Sequence, residues 1–193
     1  FNGGEVLEPA AGNGVFLAQV PARQYLERDA VVTAIEPQQY SYAILRILYP
    51  EARAVQGLFE QQFINEEVNL SIKNRAAPVF DLIIGNPPYG SITGGKGGRY
   101  MEMGERSYTK ARSYDEYFIR RGIDLLKPGG ILIYIIGSEV ANGGVPFLQR
   151  GNSRVKEEIA ARATLSDAYR LPNGVFDRTD VLSDIVCFTK NAA

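Results

Sequence analysis

Apolar positions along the chain follow two rhythms. Short runs such as Val31–Ile35, Asp81–Ile84 and Ile131–Ile136 are nearly continuous in apolar or branched residues, as in strands buried on both faces. Between them lie helix-length stretches with apolar residues three and four apart. The alternation predicts an α/β domain built on a mostly parallel, doubly wound sheet. A first strand is expected at Glu5–Glu8, and then a helix from about Val15 to Leu26 with Val15, Phe16, Leu17, Val20 and Leu26 on its apolar face. The strand Val31–Ile35, a helix Gln38–Leu48 closed by Pro50, and a short strand Arg53–Gln56 follow. A polar helix is expected near Glu60–Leu70, a strand at Asp81–Ile84 and a helix at Tyr114–Leu126. Pro128-Gly129-Gly130 then turns into the strand Ile131–Ile136, and a helix Arg154–Ala163 comes next. Two late strands, near Leu165–Leu171 and Asp184–Thr189, have no helix-length stretch between them. They predict an antiparallel hairpin at one sheet edge.

The length of 193 residues suits one domain spanning residues 1–193, with no internal repeat or linker. The chain opens on Phe1 rather than Met, which reads as a segment of a longer polypeptide. It has no histidine and a single cysteine, Cys187. That composition removes Ser-His-Asp chemistry, histidine metal ligands, an internal disulfide and multi-cysteine zinc sites, so no metal is expected. The apolar runs fall short of the roughly 18 residues of a membrane span, and the cysteine usage suits a reducing cytoplasm. A cytoplasmic protein without membrane contact is the expectation. A net charge of −1 argues against a generic nucleic-acid coat protein but leaves room for a local basic surface.

Candidate chemistry begins where the first strand ends, at Glu8-Pro9-Ala10-Ala11-Gly12-Asn13-Gly14. Gly12 and Gly14 would let the backbone approach a ligand closely. Leu17 fills the last glycine position of the dinucleotide fingerprint, and an acid at the strand end would repel pyrophosphate. Glu8 better suits a ligand with a cationic end, such as the amino group of S-adenosylmethionine. Glu36, closing the second strand, is placed to accept both hydroxyls of a ribose.

Asn86-Pro87-Pro88-Tyr89 is the most informative segment, and it follows a central strand. An aromatic amino group is a poor nucleophile because its lone pair is delocalised into the ring. Two acceptors, the Asn86 side-chain oxygen and the Pro87 carbonyl, could hold its two hydrogens and aim the lone pair at an electrophile. Consecutive prolines fix φ and preorganise these acceptors. Tyr89 offers a flat face on which a planar base or amide could stack.

These residues resemble the adenine-N6 DNA methyltransferases. Glu8-Pro9-Ala10-Ala11-Gly12-Asn13-Gly14-Val15-Phe16 is similar to their first motif, Ile35-Glu36-Pro37 to their second, and Asn86-Pro87-Pro88-Tyr89 to their catalytic fourth. Leu171-Pro172-Asn173-Gly174-Val175-Phe176, followed by Val181–Phe188, resembles a late segment of type I modification subunits and gamma-type enzymes. The resemblance implies a Rossmann-like S-adenosylmethionine-dependent fold acting on DNA, in a restriction-modification or related system. It implies Glu8, Pro9, Ala10, Gly12, Gly14 and Glu36 as cofactor-binding residues, and Asn86, Pro87, Pro88 and Tyr89 as catalytic ones. Phe176 would pack against the flipped base or in the core, and Phe59 against the cofactor adenine or in the core. Leu58 stands where the family's third motif usually has an Asp. No target-recognition domain follows Thr189, so such a domain is expected as a linked or separate partner.

Ser91 to Arg121 holds seven basic and four acidic residues. Lys96, Arg99 and Arg106, with Tyr100 and Tyr108 interleaved, could hold phosphates around an extruded nucleotide. Two readings compete with DNA-adenine methylation. One is methylation of a protein glutamine or an RNA base through the same turn. The other is a catalytically weak nucleic-acid-binding domain within a larger assembly.

Overall fold

The computed structural model describes residues 3–20, 29–63, 78–92, 111–138, 144–151, 153–175 and 181–192. Seven strands form one sheet: β1 (Gly4–Glu8), β2 (Ala30–Glu36), β3 (Arg53–Gln56), β4 (Phe80–Gly85), β5 (Leu126–Gly137), β6 (Ala163–Arg170) and β7 (Ser183–Lys190). Their spatial order is β3-β2-β1-β4-β5-β7-β6. The first five are parallel. β7 runs antiparallel to both β5 and β6, which confirms the expected C-terminal hairpin. The chain winds outward from β1 through β2 to β3, then restarts at β4 and winds the other way. The carboxyl ends of β1 and β4 therefore flank the switch point, where open α/β sheets bind ligands.

Helices α1 (Gln39–Leu48) and α2 (Tyr114–Leu125) match the expected amphipathic segments within a residue. α3 (Arg154–Ala160) is one turn shorter than expected. α2 lies close against β5 at Gly122, where a Cβ would stand 2.5 Å from Leu132 Cδ1. Tyr117, Phe118, Ile119 and Ile123 of α2 are buried with Leu7, Ile83, Leu132 and Ile136 of the sheet in one core cluster. Ser91 and Ser113 form a β-bridge, and Tyr114 N–H donates to the Gly90 carbonyl at 3.1 Å. Residues on either side of the basic segment are thus joined beside the turn that follows β4.

Three expectations need correction. Residues 15–20 are not α-helical: turns lead into a 3-10 segment, Leu17–Gln19, and Val15 is 70% exposed. Val20 is extended (φ −73°, ψ 121°), the conformation that a following proline, Pro21, imposes. At 60–63 the polar helix is a 3-10 turn, and its remainder lies outside the described residues. Strand β5 starts at Leu126 rather than Ile131, because Pro128-Gly129-Gly130 is absorbed as an irregularity: Phe80 pairs with Leu126 but Leu82 pairs with Ile131.

Among the described residues no helix is long and apolar enough to cross a membrane. They also hold no cluster of three or more acidic, histidine or cysteine side chains able to bind a metal ion.

Tyr134 lies in β5 with its ring fully buried, and its hydroxyl has no hydrogen-bond partner among the described residues. A buried unsatisfied hydroxyl costs stability, whereas an apolar group of the same shape does not. Tyr134→Phe is therefore expected to raise stability by about 1 kcal/mol. Urea denaturation would show the midpoint shift, and a lower midpoint would mean that the hydroxyl is satisfied in solution.

Candidate active site

Glu8 is the last residue of β1, and Glu36 the last of β2, on the neighbouring strand. Both are buried. Glu36 is tied down on every side: Oε2 accepts from Gly12 N–H at 2.8 Å and Oε1 from Gln38 N–H at 2.7 Å. Its main-chain carbonyl accepts from Gly57 N–H at 3.2 Å. One residue thereby fixes the loops leaving β1, β2 and β3.

Glu8 has the opposite situation. It is 1% exposed, and among the described residues its Oε2 has no hydrogen-bond partner. Burial, reinforced by the charge of Glu36, pushes its carboxyl up from 4.5 to about 8. A buried carboxyl beside a second carboxylate must carry a proton or meet a cation. This is what a site for an ammonium-bearing ligand requires before the ligand arrives.

The two glycines of the loop differ in purpose. Gly12 has φ +54°, and a Cβ there would meet nothing within 4 Å, so the backbone borders open space. Gly14 has φ +84°, and a Cβ would stand 2.5 Å from the Tyr49 ring and 2.8 Å from Leu45 Cδ2, so it serves packing against α1. Pro9 is buried and Ala10 half-buried beside this loop. The open space by Gly12, the unpartnered Glu8 and the buried Glu36 together fit S-adenosylmethionine, which carries an ammonium and a ribose.

The Asn86-Pro87-Pro88-Tyr89 turn leaves the end of β4, as expected. A Cβ on Gly85 would stand 3.6 Å from Pro9 Cδ and 3.8 Å from Glu8 Cγ, so the acid pair and this turn are neighbours. Pro87 is buried, Pro88 exposed, and Asn86 and Tyr89 half-buried. The Tyr89 hydroxyl donates to Asn86 Oδ1 at 2.6 Å. Burial raises the phenol above its usual range, and hydrogen bonds with Ser183 and Asn86 oppose the shift. The sequence reading missed Ser183 and its strand partner Gly137, because their position at this turn depends on a long-range register.

Other candidates fall differently. Phe59 is 2% exposed and packs in the aromatic core, 4.9 Å from Phe118 and 5.9 Å from Tyr117 between ring centroids. These neighbours are those of the core alternative. Arg120 and Arg121, counted with the basic segment, belong to α2 and are buried, and Arg120 is paired with Glu158. Lys96, Arg99, Arg106 and Phe176 lie outside the described residues.

Sheet order, the loop at the switch point and the strand-end acids define the class I fold of S-adenosylmethionine-dependent methyltransferases. Solved structures of that fold align over the whole chain. A class I S-adenosylmethionine-dependent methyltransferase of Listeria monocytogenes matches with a TM-score of 0.65 and 18% identity, over 100% of this chain and 55% of that one. The type I restriction-modification methyltransferase subunit of Streptococcus thermophilus gives a TM-score of 0.68 and 19% identity, over 100% and 41%. Residues 29–160 match the family model of the Eco57I restriction-modification methylase, and the chain belongs to that family. It is also similar to the defense against restriction protein B of Escherichia phage P1, with 30% identity over 192 residues. The aligned region is 98% of this chain and only 7% of the phage protein.

Glu8 also makes stability depend on pH. Its folded value lies above its ordinary one, so its contribution is complete below pH 4.5 and is lost as pH rises through about 8. Without bound ligand, wild type should lose stability relative to Glu8→Gln across that window. Denaturant midpoints of the two proteins, measured in parallel from acid to mildly alkaline pH, test this. Curves that stay parallel would mean that Glu8 is solvated or paired.

Proposed function

We propose that this chain transfers a methyl group from S-adenosylmethionine to the exocyclic N6 amino group of adenine in DNA. The observation that carries the reading is the Asn86-Pro87-Pro88-Tyr89 turn at the switch point, directly beside Glu8, whose Oε2 has no hydrogen-bond partner among the described residues. Membership of a restriction-modification methylase family supports DNA as the substrate. So does similarity to a phage protein named for defence against restriction.

Glu8 would hold the cofactor's ammonium and Glu36 its ribose hydroxyls, while the loop Pro9–Gly14 covers the space between. Bound S-adenosylmethionine would supply a methyl group on a sulfonium, an electrophile strong enough to react with a weakly nucleophilic amine. Asn86 Oδ1 and the Pro87 carbonyl accept the two amine hydrogens and keep the nitrogen lone pair directed at the methyl group. Asn86 Oδ1 has two lone pairs, so it can serve the amine while Tyr89 donates to it. Pro87 and Pro88 restrict the turn so that little is reorganised in the reaction. Tyr89 and Phe176 would bracket the extruded base, and Lys96, Arg99 and Arg106 would hold its phosphates. Reading of a DNA sequence would fall to another domain or subunit, since contacts to phosphates carry no sequence information.

Tritiated S-adenosylmethionine, offered together with DNA, RNA or protein, tests the reading. Label recovered as N6-methyladenine from DNA is the expected result, and label in RNA or in protein glutamine would replace it. Asn86→Ala should lower turnover about a hundredfold or more while leaving cofactor affinity within about twofold. Glu36→Ala should weaken cofactor binding by roughly 2–4 kcal/mol, measured by calorimetry. Neutralising Lys96, Arg99 and Arg106 together should weaken binding about equally on unrelated duplexes and flatten its salt dependence.

A further inference from the structure

Helix α1 buries one side chain only. Leu45 joins Val6, Val32 and Ala34 of the sheet in a core cluster, with Tyr49 partly buried beside it. The opposite face of the helix is apolar as well. Tyr40, Ala43, Ile44 and Ile47 follow the i, i+3, i+4, i+7 spacing of a single helix face, and Leu48 borders them. Tyr40 is 85%, Ile47 78%, Leu48 58% and Ile44 39% exposed. A helix that packs one face on a sheet ordinarily turns charge to water on the other. Here the single charged side chain of the helix, Arg46, lies off the stripe, with its guanidinium 5.9 Å from the centroid of the Tyr42 ring. The four exposures amount to on the order of 450 Å2 of mostly apolar surface, the size of patch that a monomer keeps for a contact.

We propose that this stripe is a self-contact, in which α1 of one copy crosses α1 of a second copy, antiparallel about a two-fold axis. The pattern is complementary to itself in that arrangement. A crossing centred between Ala43 and Ile44 sets Tyr40 of each copy against Ile47 of the other, and Ala43 against Ile44. Ala43, the small residue at the centre, lets the two helices approach to about 8 Å, the near end of interhelical spacings. The stripe carries no charge and Arg46 lies beside it, so the axis brings no like charges together. Two stripes bury about 900 Å2, and flanking Gln39 and Ala43 bring the contact to roughly 1,000–1,200 Å2, the lower limit of a specific interface. An area of that size supports a reversible dimer with a micromolar dissociation constant, not a permanent one. The contact is independent of which substrate is methylated.

Sedimentation equilibrium of the full chain, from about 1 to about 300 µM, tests the contact. The weight-average mass should climb from one copy toward two across that range. Ile47→Glu and Tyr40→Lys should each raise the dissociation constant at least about tenfold. Neither should lower the denaturation midpoint of dilute protein, because both side chains are already exposed in a single copy. Mixing the two variants tests the register. In the mixed dimer the new Glu and Lys face each other on one side of the axis, and the unaltered Tyr40 and Ile47 face each other on the other. The mixture should therefore associate at least about fivefold more tightly than either variant alone. A mass that stays at one copy up to about 300 µM would overturn the proposal. So would a dimer that Ile47→Glu leaves as tight as wild type, or a mixture no tighter than its two components.

Discussion

Two buried carboxylates at the ends of adjacent strands impose the main constraint on this molecule. Glu36 satisfies its charge with two backbone amides, and in doing so holds the β1 and β2 loops in place. Glu8 has no such partner for Oε2, so burial and the neighbouring charge keep a proton on it up to about pH 8. The sheet order makes this pairing unavoidable, since β1 and β2 are neighbours and both strands end at the same edge. A fold selected only for stability would not place two acids there. Their presence makes sense when the proton can be exchanged for a ligand's positive charge.

The same edge carries the second half of the chemistry. β4 lies on the other side of β1, so the Asn86 turn opens directly next to Glu8. Beyond β4 come β5 and the antiparallel β7, and the last pair of their ladder reaches the Tyr89 ring. Strand order therefore brings the acid pair, the turn and the hairpin end into one line along the sheet edge. Regular pairing supplies the positioning, and the loops supply the functional groups.

Much of this was legible in the residues. The strand Arg53–Gln56 and the hairpin follow directly from apolar runs and turn residues, and α2 from the spacing of Tyr117, Phe118, Ile119 and Ile123. Glu8, Gly12, Glu36 and the Asn86 turn could be placed because each adjoins a strand end, where local sequence decides geometry. What escaped depended on contacts distant in sequence. Residues 15–19 form turns and a 3-10 segment despite their apolar spacing, and Val20 is extended before Pro21. Arg120 and Arg121 looked like part of a basic surface until α2 turned them inward against partners such as Glu158. Phe59 could serve a ligand or the core equally well by type, and the aromatic neighbours that surround it come from α2. The close approach of Gly137 to the Tyr89 ring has no local signature, because it depends on strand β5 and the turn after β4, distant in sequence.

In the proposed site, Glu8 is a buried, protonated carboxyl that would exchange its proton for the positive charge of the cofactor. Calorimetric titration of S-adenosylmethionine near neutral pH, in buffers of different ionisation enthalpy, counts the protons exchanged on binding. Wild type should release most of a proton per cofactor bound, and Glu8→Gln far less. An equal proton count for the two proteins would contradict it, because Glu8 would then be neither the proton's holder nor the cation's partner.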